Sequence, residues 1–334
     1  MTNGKRFVTL ACVARTVVGM AAALLAAVVA GNAGAQSFPS KPITFIYPFA
    51  AGSASDTAYR ALTIAATKFS GQSIIFENRP GGNGHIGFNI LRNARPDGYT
   101  VCLITQGIVF LDGMSDASLK VEPVKDYIPV NQFVESTLIL SANPGVPFRD
   151  LKGLLEYAKV NPGKLNVGVV GGSAGPVALG LFKFITGADL TLVRYKGDAL
   201  GIQDEVAGTI QLMIGVAGAF KPLRDAGKLI GISALGQRRA GITPDIPTAI
   251  EQGVQVSVPN WAGVVAPAGT PPELLSRLSS IFNQALVLPE SKSRMGIAGL
   301  DVVSSSPDQF LSFIRSESER LNNVVRQTGI KLSD

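Results

Sequence analysis

Short β-rich runs alternate with helical patterns along almost the whole chain, and this alternation restricts the fold more than any other feature. Residues 43–47 read as a strand and 55–69 as a helix, with Ala58, Ala61, Leu62, Ala65 and Ala66 on one face. Strands at 73–76 and 99–105 flank a helix at 86–93. The pattern resumes with a helix at 151–160, stopped by Asn161-Pro162-Gly163, then strands at 164–170, 190–193, 210–214 and 229–234 separated by helices at 177–186, 202–207 and 220–226. Strands that alternate with helices need crossover connections, which gives α/β architecture with parallel sheets. From Trp261 the rhythm changes. A strand at 261–266 precedes a long amphipathic helix at 271–287, opened by Thr270 and a proline in the first turn. A short strand at 300–303 and a last helix from Ser306 to about Gln327, stopped by Gly329, follow. The expected layout is two α/β lobes and a return: residues 36–142 with 259–334 as the first lobe, and 143–258 as the second.

The start of the chain assigns a compartment. Lys5, Arg6 and Arg15 are followed by an apolar run over 17–30 and then by Ala33-Gly34-Ala35. A basic start, a short apolar run and small residues make a secretory signal peptide, with cleavage expected after Ala35 and a periplasmic product. The run is shorter than the roughly 20 residues a membrane span requires. Removing those three cations takes Lys+Arg from 30 to 27 against 24 acids, so the net charge falls from +6 to +3. No basic stripe with interleaved aromatics accompanies it, and no nucleic-acid partner is expected. Cys12 leaves with the leader. Cys102 is then alone in an apolar run, which excludes an internal disulfide and a cysteine-based zinc site. Neither a metal nor another cofactor is expected.

Three loops carry the polar chemistry. Ala50-Ala51-Gly52-Ser53-Ala54-Ser55-Asp56 joins the first strand to the first helix, where small residues let backbone N–H groups approach an anion and the helix start adds partial positive charge. Val170-Gly171-Gly172-Ser173-Ala174-Gly175-Pro176 repeats the arrangement in the second lobe. Pro80-Gly81-Gly82-Asn83-Gly84 precedes His85, the only histidine, and reads as a surface turn. Each glycine loop alone is an ordinary βα turn. Two of them, one per lobe, could hold one carboxylate from both sides of a cleft. There is no phosphate loop, no nucleophile elbow and no paired-histidine zinc motif. Gly82–Gly87 formally fits G-x-G-x-x-G, but no acidic residue follows at a strand end, so a dinucleotide site is not supported.

These segments also carry a resemblance. The stretch from Tyr47-Pro48-Phe49 through Gly52 to Asp56 is similar to the opening loop of the substrate-binding proteins of tripartite tricarboxylate transporters, the Bug family. So are Glu77-Asn78-Arg79-Pro80-Gly81, Pro96-Asp97-Gly98-Tyr99-Thr100, Asn161-Pro162-Gly163, Tyr195-Lys196-Gly197, Pro244-Asp245-Ile246-Pro247-Thr248 and Ala266-Pro267-Ala268-Gly269-Thr270-Pro271. The matches keep the family's order across the mature chain. The resemblance implies the α/β fold of a type II periplasmic binding protein, with two lobes, two crossovers and a ligand cleft between them. It implies a dicarboxylate, tricarboxylate or aromatic acid as ligand, no enzymatic activity, a monomer, and delivery to the integral-membrane subunits of a tripartite transporter. An orphan or sensory binding protein that presents its ligand to a receptor is the alternative, and a secreted enzyme comes third. Carried onto this chain, the binding residues are Ala51, Gly52, Ser53 and Asp56, with Thr105 and Gln106 at a strand end of the first lobe. The second lobe adds Gly172, Ser173, Ala174 and Gly175, with Tyr195, Lys196 and Asp198.

Two departures bear on the ligand. The second-lobe glycine loop is more apolar than the family's, and Leu212-Met213-Ile214 is followed by Gly215 where the family usually has aspartate. An ammonium needs an acceptor, so the loss of this acid turns expectation away from amino acids and toward a plain or aromatic carboxylate.

Overall fold

A computed structural model describes residues 38–110 and 121–328. The leader expected over 1–35 and the stop at Gly329 lie outside the described residues. Every element named below lies within the unit that begins at Lys41.

The first sheet holds β1 (Ile43–Tyr47), β2 (Ile74–Asn78), β3 (Thr100–Thr105) and β4 (Tyr127–Ser136), together with β10 (Asn260–Pro267) and β11 (Asp301–Val302). Its order is β11-β4-β10-β3-β1-β2. The second holds β5 (Leu138–Ala142), β6 (Leu165–Val170), β7 (Leu190–Tyr195), β8 (Leu212–Val216) and β9 (Ile230–Ala234), in the order β7-β6-β8-β5-β9. β1 runs parallel to β2 and β3, and β6 runs parallel to β7 and β8. The alternating segments thus give parallel pairs. The strands that enter each sheet from the other lobe are antiparallel, β10 against β3 and β4, and β5 against β8 and β9. The chain changes sheets at Thr137, so residues 138–142, read in the sequence as the tail of the first lobe, pair in the second sheet. It returns between β9 and β10.

Helix α1 (Ala54–Ser70) starts where Ser53 Oγ accepts from the Asp56 N–H at 2.9 Å. It ends at Gly71, whose φ of 70° is the left-handed conformation that glycine adopts without strain. α2 (His85–Arg92) and the short α3 (Gln106–Phe110) complete the opening of the first lobe. α4 (Leu151–Val160), α5 (Gly175–Thr186), α6 (Asp198–Ala207) and α7 (Ala217–Asp225) belong to the second. α8 (Pro272–Leu286), α9 (Pro289–Ile297) and α10 (Pro307–Thr328) come after the return.

Aromatic side chains tie the returning segment to the first lobe. Phe45 of β1, Phe133 of β4 and Phe282 of α8 are fully buried, with Phe133 and Phe282 ring centres 5.2 Å apart. Trp261 of β10 meets Phe310 and Phe313 of α10 edge-on at 5.7 and 5.6 Å. Such rings remove large apolar areas from water, and their edge-to-face geometry adds roughly 0.5–1.5 kcal/mol per pair. The second lobe has its own apolar cluster, in which Ile139, Ala217, Phe220, Leu229 and Ile246 are buried together.

Candidate functional site

The C-terminal ends of β1, β3, β6 and β8 converge on a cavity of ≈ 70 Å³ enclosed by both sheets. At about 10–15 Å³ per water, it holds roughly five waters or a small solute. The first lobe supplies Tyr47, Phe49 and Tyr59, Leu103 and Thr105 from β3, and Asn260 and Trp261 from β10. The second supplies Val170 and Ser173 from the second glycine loop, Gly197 and Asp198 from the start of α6, and Ile214, Gly215 and Val216 from β8. Among the described residues no Lys, Arg or His borders the cavity.

Positive potential therefore comes from backbone. α1, α5, α6 and α7 all begin at or beside the cavity wall, each with a share of the helix dipole. In the second lobe the cap residues of α5, α6 and α7, Ala174, Gly197 and Val216, make no side-chain cap, although Ser173 Oγ accepts from the Gly175 N–H of α5 at 3.0 Å. Ligands of open α/β sheets bind at this end of the strands for the same reason.

The lobes are closed on each other. The Ala50 N–H donates to the Lys196 carbonyl at 3.0 Å, and Thr105 Oγ1 donates to the Gly172 carbonyl at 2.5 Å. Glycines allow this approach. A Cβ on Gly107 would lie 2.3 Å from the Gly172 carbonyl carbon, and one on Gly218 would lie 2.2 Å from the backbone of Ala298. Gly172 itself has a φ of 74°, and a Cβ there would lie 2.1 Å from the Asn83 carbonyl oxygen. The Pro80–Gly84 turn thus carries Asn83 into the seam between the lobes.

Of the residues expected at the site, Ser53, Thr105, Ser173 and Asp198 border the cavity. Ser53 caps α1 and is hydrogen-bonded to the Tyr47 hydroxyl. Ser173 Oγ donates to the Val170 carbonyl at 2.7 Å. Gly172 lies in the seam. Ala174 and Gly175 are buried at the start of α5, while Ala51 and Gly52 are exposed on the first loop. Asp56 is off the cavity wall, and its carboxylate accepts from Asn78 Nδ2 at 2.8 Å and the Gly52 N–H at 3.2 Å and pairs with Arg60. The Tyr195 hydroxyl turns to Asp204 at 2.7 Å, which with burial pushes its pKa up to about 12. Lys196 reaches the seam through its carbonyl, with its side chain exposed. Gln106, the first residue of α3, is fully buried, and both of its amide atoms lack a hydrogen-bond partner among the described residues.

Sequence reasoning did not single out Tyr47, Phe49, Tyr59 or Trp261 as wall residues. Their positions near strand ends or on the cavity-facing turn of α1 carry the signal, once the sheets are assembled. Desolvation raises the Tyr47 and Tyr59 hydroxyls far above their ordinary range, so both act as neutral hydrogen-bonding groups.

Two α/β lobes crossed by antiparallel strands and closed around a cavity ringed by helix starts define a solute-binding protein of the periplasmic type. The chain belongs to the tripartite tricarboxylate transporter receptor family, whose pattern it matches over residues 58–330. It is similar to Protein BugT of Bordetella pertussis, with 30% identity over 307 residues, 91% of this chain and 94% of that protein. Among solved structures it is similar to R. palustris Rpa4515 with adipate, at 28% identity and a TM-score of 0.82, covering 88% of this chain and 99% of that one. MatC from Rhodopseudomonas palustris with bound malate gives 28% identity and a TM-score of 0.81, covering 86% and 100%.

Proposed function

We propose that this protein captures a small carboxylate between its lobes in the periplasm and delivers it to the integral-membrane subunits of a tripartite transporter. The observation that carries this reading is the cavity wall: four helix starts and no cationic side chain. Backbone dipoles and hydroxyls can hold an anion yet release it once the lobes part, because each contact is modest and most depend on closure. Adipate and malate in the related structures are acids of suitable size. Residues up to about 137 together with those from about 259 act as one moving lobe and 138–258 as the other, hinged near Thr137 and between β9 and β10. Ser53, Thr105, Ser173 and Asp198 face the ligand, and Gly172 and Lys196 serve closure. The protein works as a monomer and binds its solute without converting it.

A thermal-shift screen against mono-, di- and tricarboxylates tests this, since a ligand that binds only the folded chain raises its melting temperature. At least one acid is expected to stabilise the protein in a concentration-dependent way and to be recovered unchanged by NMR. No shift with any acid, or turnover of the bound one, would overturn the reading.

A further inference from the structure

Asp198 opens α6, and its carboxyl borders the cavity. No described residue donates a hydrogen bond to it or pairs with it. Its Oδ1 lies 3.1 Å from the point that a Cβ on Gly215 would occupy. The bare glycine near the end of β8 thus leaves the room that this carboxyl fills. An acid in the first turn of a helix commonly serves that helix by accepting its N–H groups. Asp56 does so for the turn before α1, through the Gly52 N–H. Asp198 does not, and α6 has no side-chain cap.

The groups that face Asp198 offer no countercharge. Across the cleft stands the Tyr47 hydroxyl, which feels the charges of Asp198 and Asp56. No Lys, Arg or His lines the cavity among the described residues. Burial alone pushes the Asp198 carboxyl up to about 6. A carboxylate out of water without a donor is costly, and its relief must come from what fills the cavity.

We infer that Asp198 selects the ligand, and that the cavity takes a monocarboxylate bearing a hydrogen-bond donor, a hydroxyl or an ammonium, which Asp198 accepts. The carboxylate end lies toward the starts of α1 and α5, at Ser53, Ser55 and Ser173, away from Asp198. A second carboxylate beside Asp198 is disfavoured by like charge. The inference rests on the carboxylate reading above. It also reverses the expectation drawn from Gly215, because the acceptor missing from β8 is supplied to the same space from α6.

Calorimetry on the full chain tests it with two matched series: butanoate, 4-hydroxybutanoate, 4-aminobutanoate and succinate; and hexanoate, 6-hydroxyhexanoate, 6-aminohexanoate and adipate. A hydrogen bond to a charged group implies that, in at least one series, the hydroxy or amino acid binds about ten- to a hundred-fold tighter than the unsubstituted acid and the dicarboxylate. Which of the two wins identifies the donor. Asp198→Ala is expected to erase the preference, and Asp198→Asn to strengthen dicarboxylate binding, with both variants melting cooperatively when free of ligand. If acids bind but the unsubstituted or dicarboxylic one is as tight as the rest, or Asp198→Ala leaves the ranking unchanged, the selector role fails while the carboxylate reading stands. If no member of either series binds while another acid of the thermal-shift panel does, the selector role alone fails; if no acid binds at all, both fail.

Discussion

Asp56 and Asp198 both stand in the first turn of a helix at the cleft, one in each lobe, and they are held in opposite ways. Asp56 accepts from Asn78 and Gly52 and pairs with Arg60, so its charge is accounted for within the first lobe. Asp198 has no protein donor and borders open space. The difference extends outward. The first lobe meets the cavity with packed aromatic rings and a capped helix. The second meets it with the starts of α6 and α7, which have no side-chain cap, and behind them Glu205 is buried with Ser141 Oγ donating to Oε1 at 2.7 Å and no partner for Oε2 among the described residues. At the cleft the first lobe's acid is paired within its own lobe. The second lobe keeps polar groups in deficit, so a solute gains most of its specific contacts there.

Four measurements can break or sharpen that contrast. The largest effect is expected for Phe282→Ala in the first-lobe aromatic cluster, about 3–5 kcal/mol of stability in urea unfolding. Its pH dependence should stay as in the parent, since the acids in deficit lie in the other lobe. Next comes Glu205. Burial pushes its carboxyl up to about 8, so the folded chain holds this proton more tightly than the unfolded one. The resulting stability is full below about pH 4.5 and lost as pH rises through about 8. The urea midpoint should be higher at pH 5 than at pH 8 for the parent, and the gap should narrow in Glu205→Gln, with Asp198 keeping the remainder.

Much of this was open to reading in the sequence, for reasons that particular residues make plain. Helix α1 has its apolar stripe, and the two glycine loops sit where strands hand over to helices. Residues 127–142 gave no such sign. β4 and β5 are buried almost throughout, so no alternation marks them, and Asn131 and Gln132 interrupt the apolar run although both are buried. Asn131 Nδ2 donates to Asn283 Oδ1 at 2.8 Å, 152 residues away, a pairing that no local pattern encodes. The site divides similarly. Ser53, Ser173 and Asp198 follow from loop chemistry, whereas the meeting of Asp198 with Gly215 and of Gly107 with Gly172 exists only once both sheets have formed.

Gly107→Ala probes closure. Its methyl group would overlap the Gly172 backbone, a clash of about 1–3 kcal/mol that only parting of the lobes relieves. Affinity for any acid that binds should drop by about ten-fold or more, with small-angle scattering showing no contraction on addition of ligand. The smallest effect separates the two acids directly. Asp56→Ala should cost about 1 kcal/mol in ligand-free unfolding, as expected for a lost local hydrogen-bond clamp. Asp198→Asn should cost nothing or stabilise the empty protein, and equal losses in the two variants would remove the contrast.

The order in which the sheets are threaded has a consequence for biosynthesis. Strands β5 to β9 come from one uninterrupted stretch, whereas β4 must wait for β10 and for the rings of Phe282 and Phe310. As the polypeptide emerges from a ribosome or a translocation pore, the inner segment can assemble its sheet while the outer one still lacks its central strand. The last part of the molecule to be made is thus the part that locks the first, and a chain held short of Phe310 should remain open to proteases at its beginning.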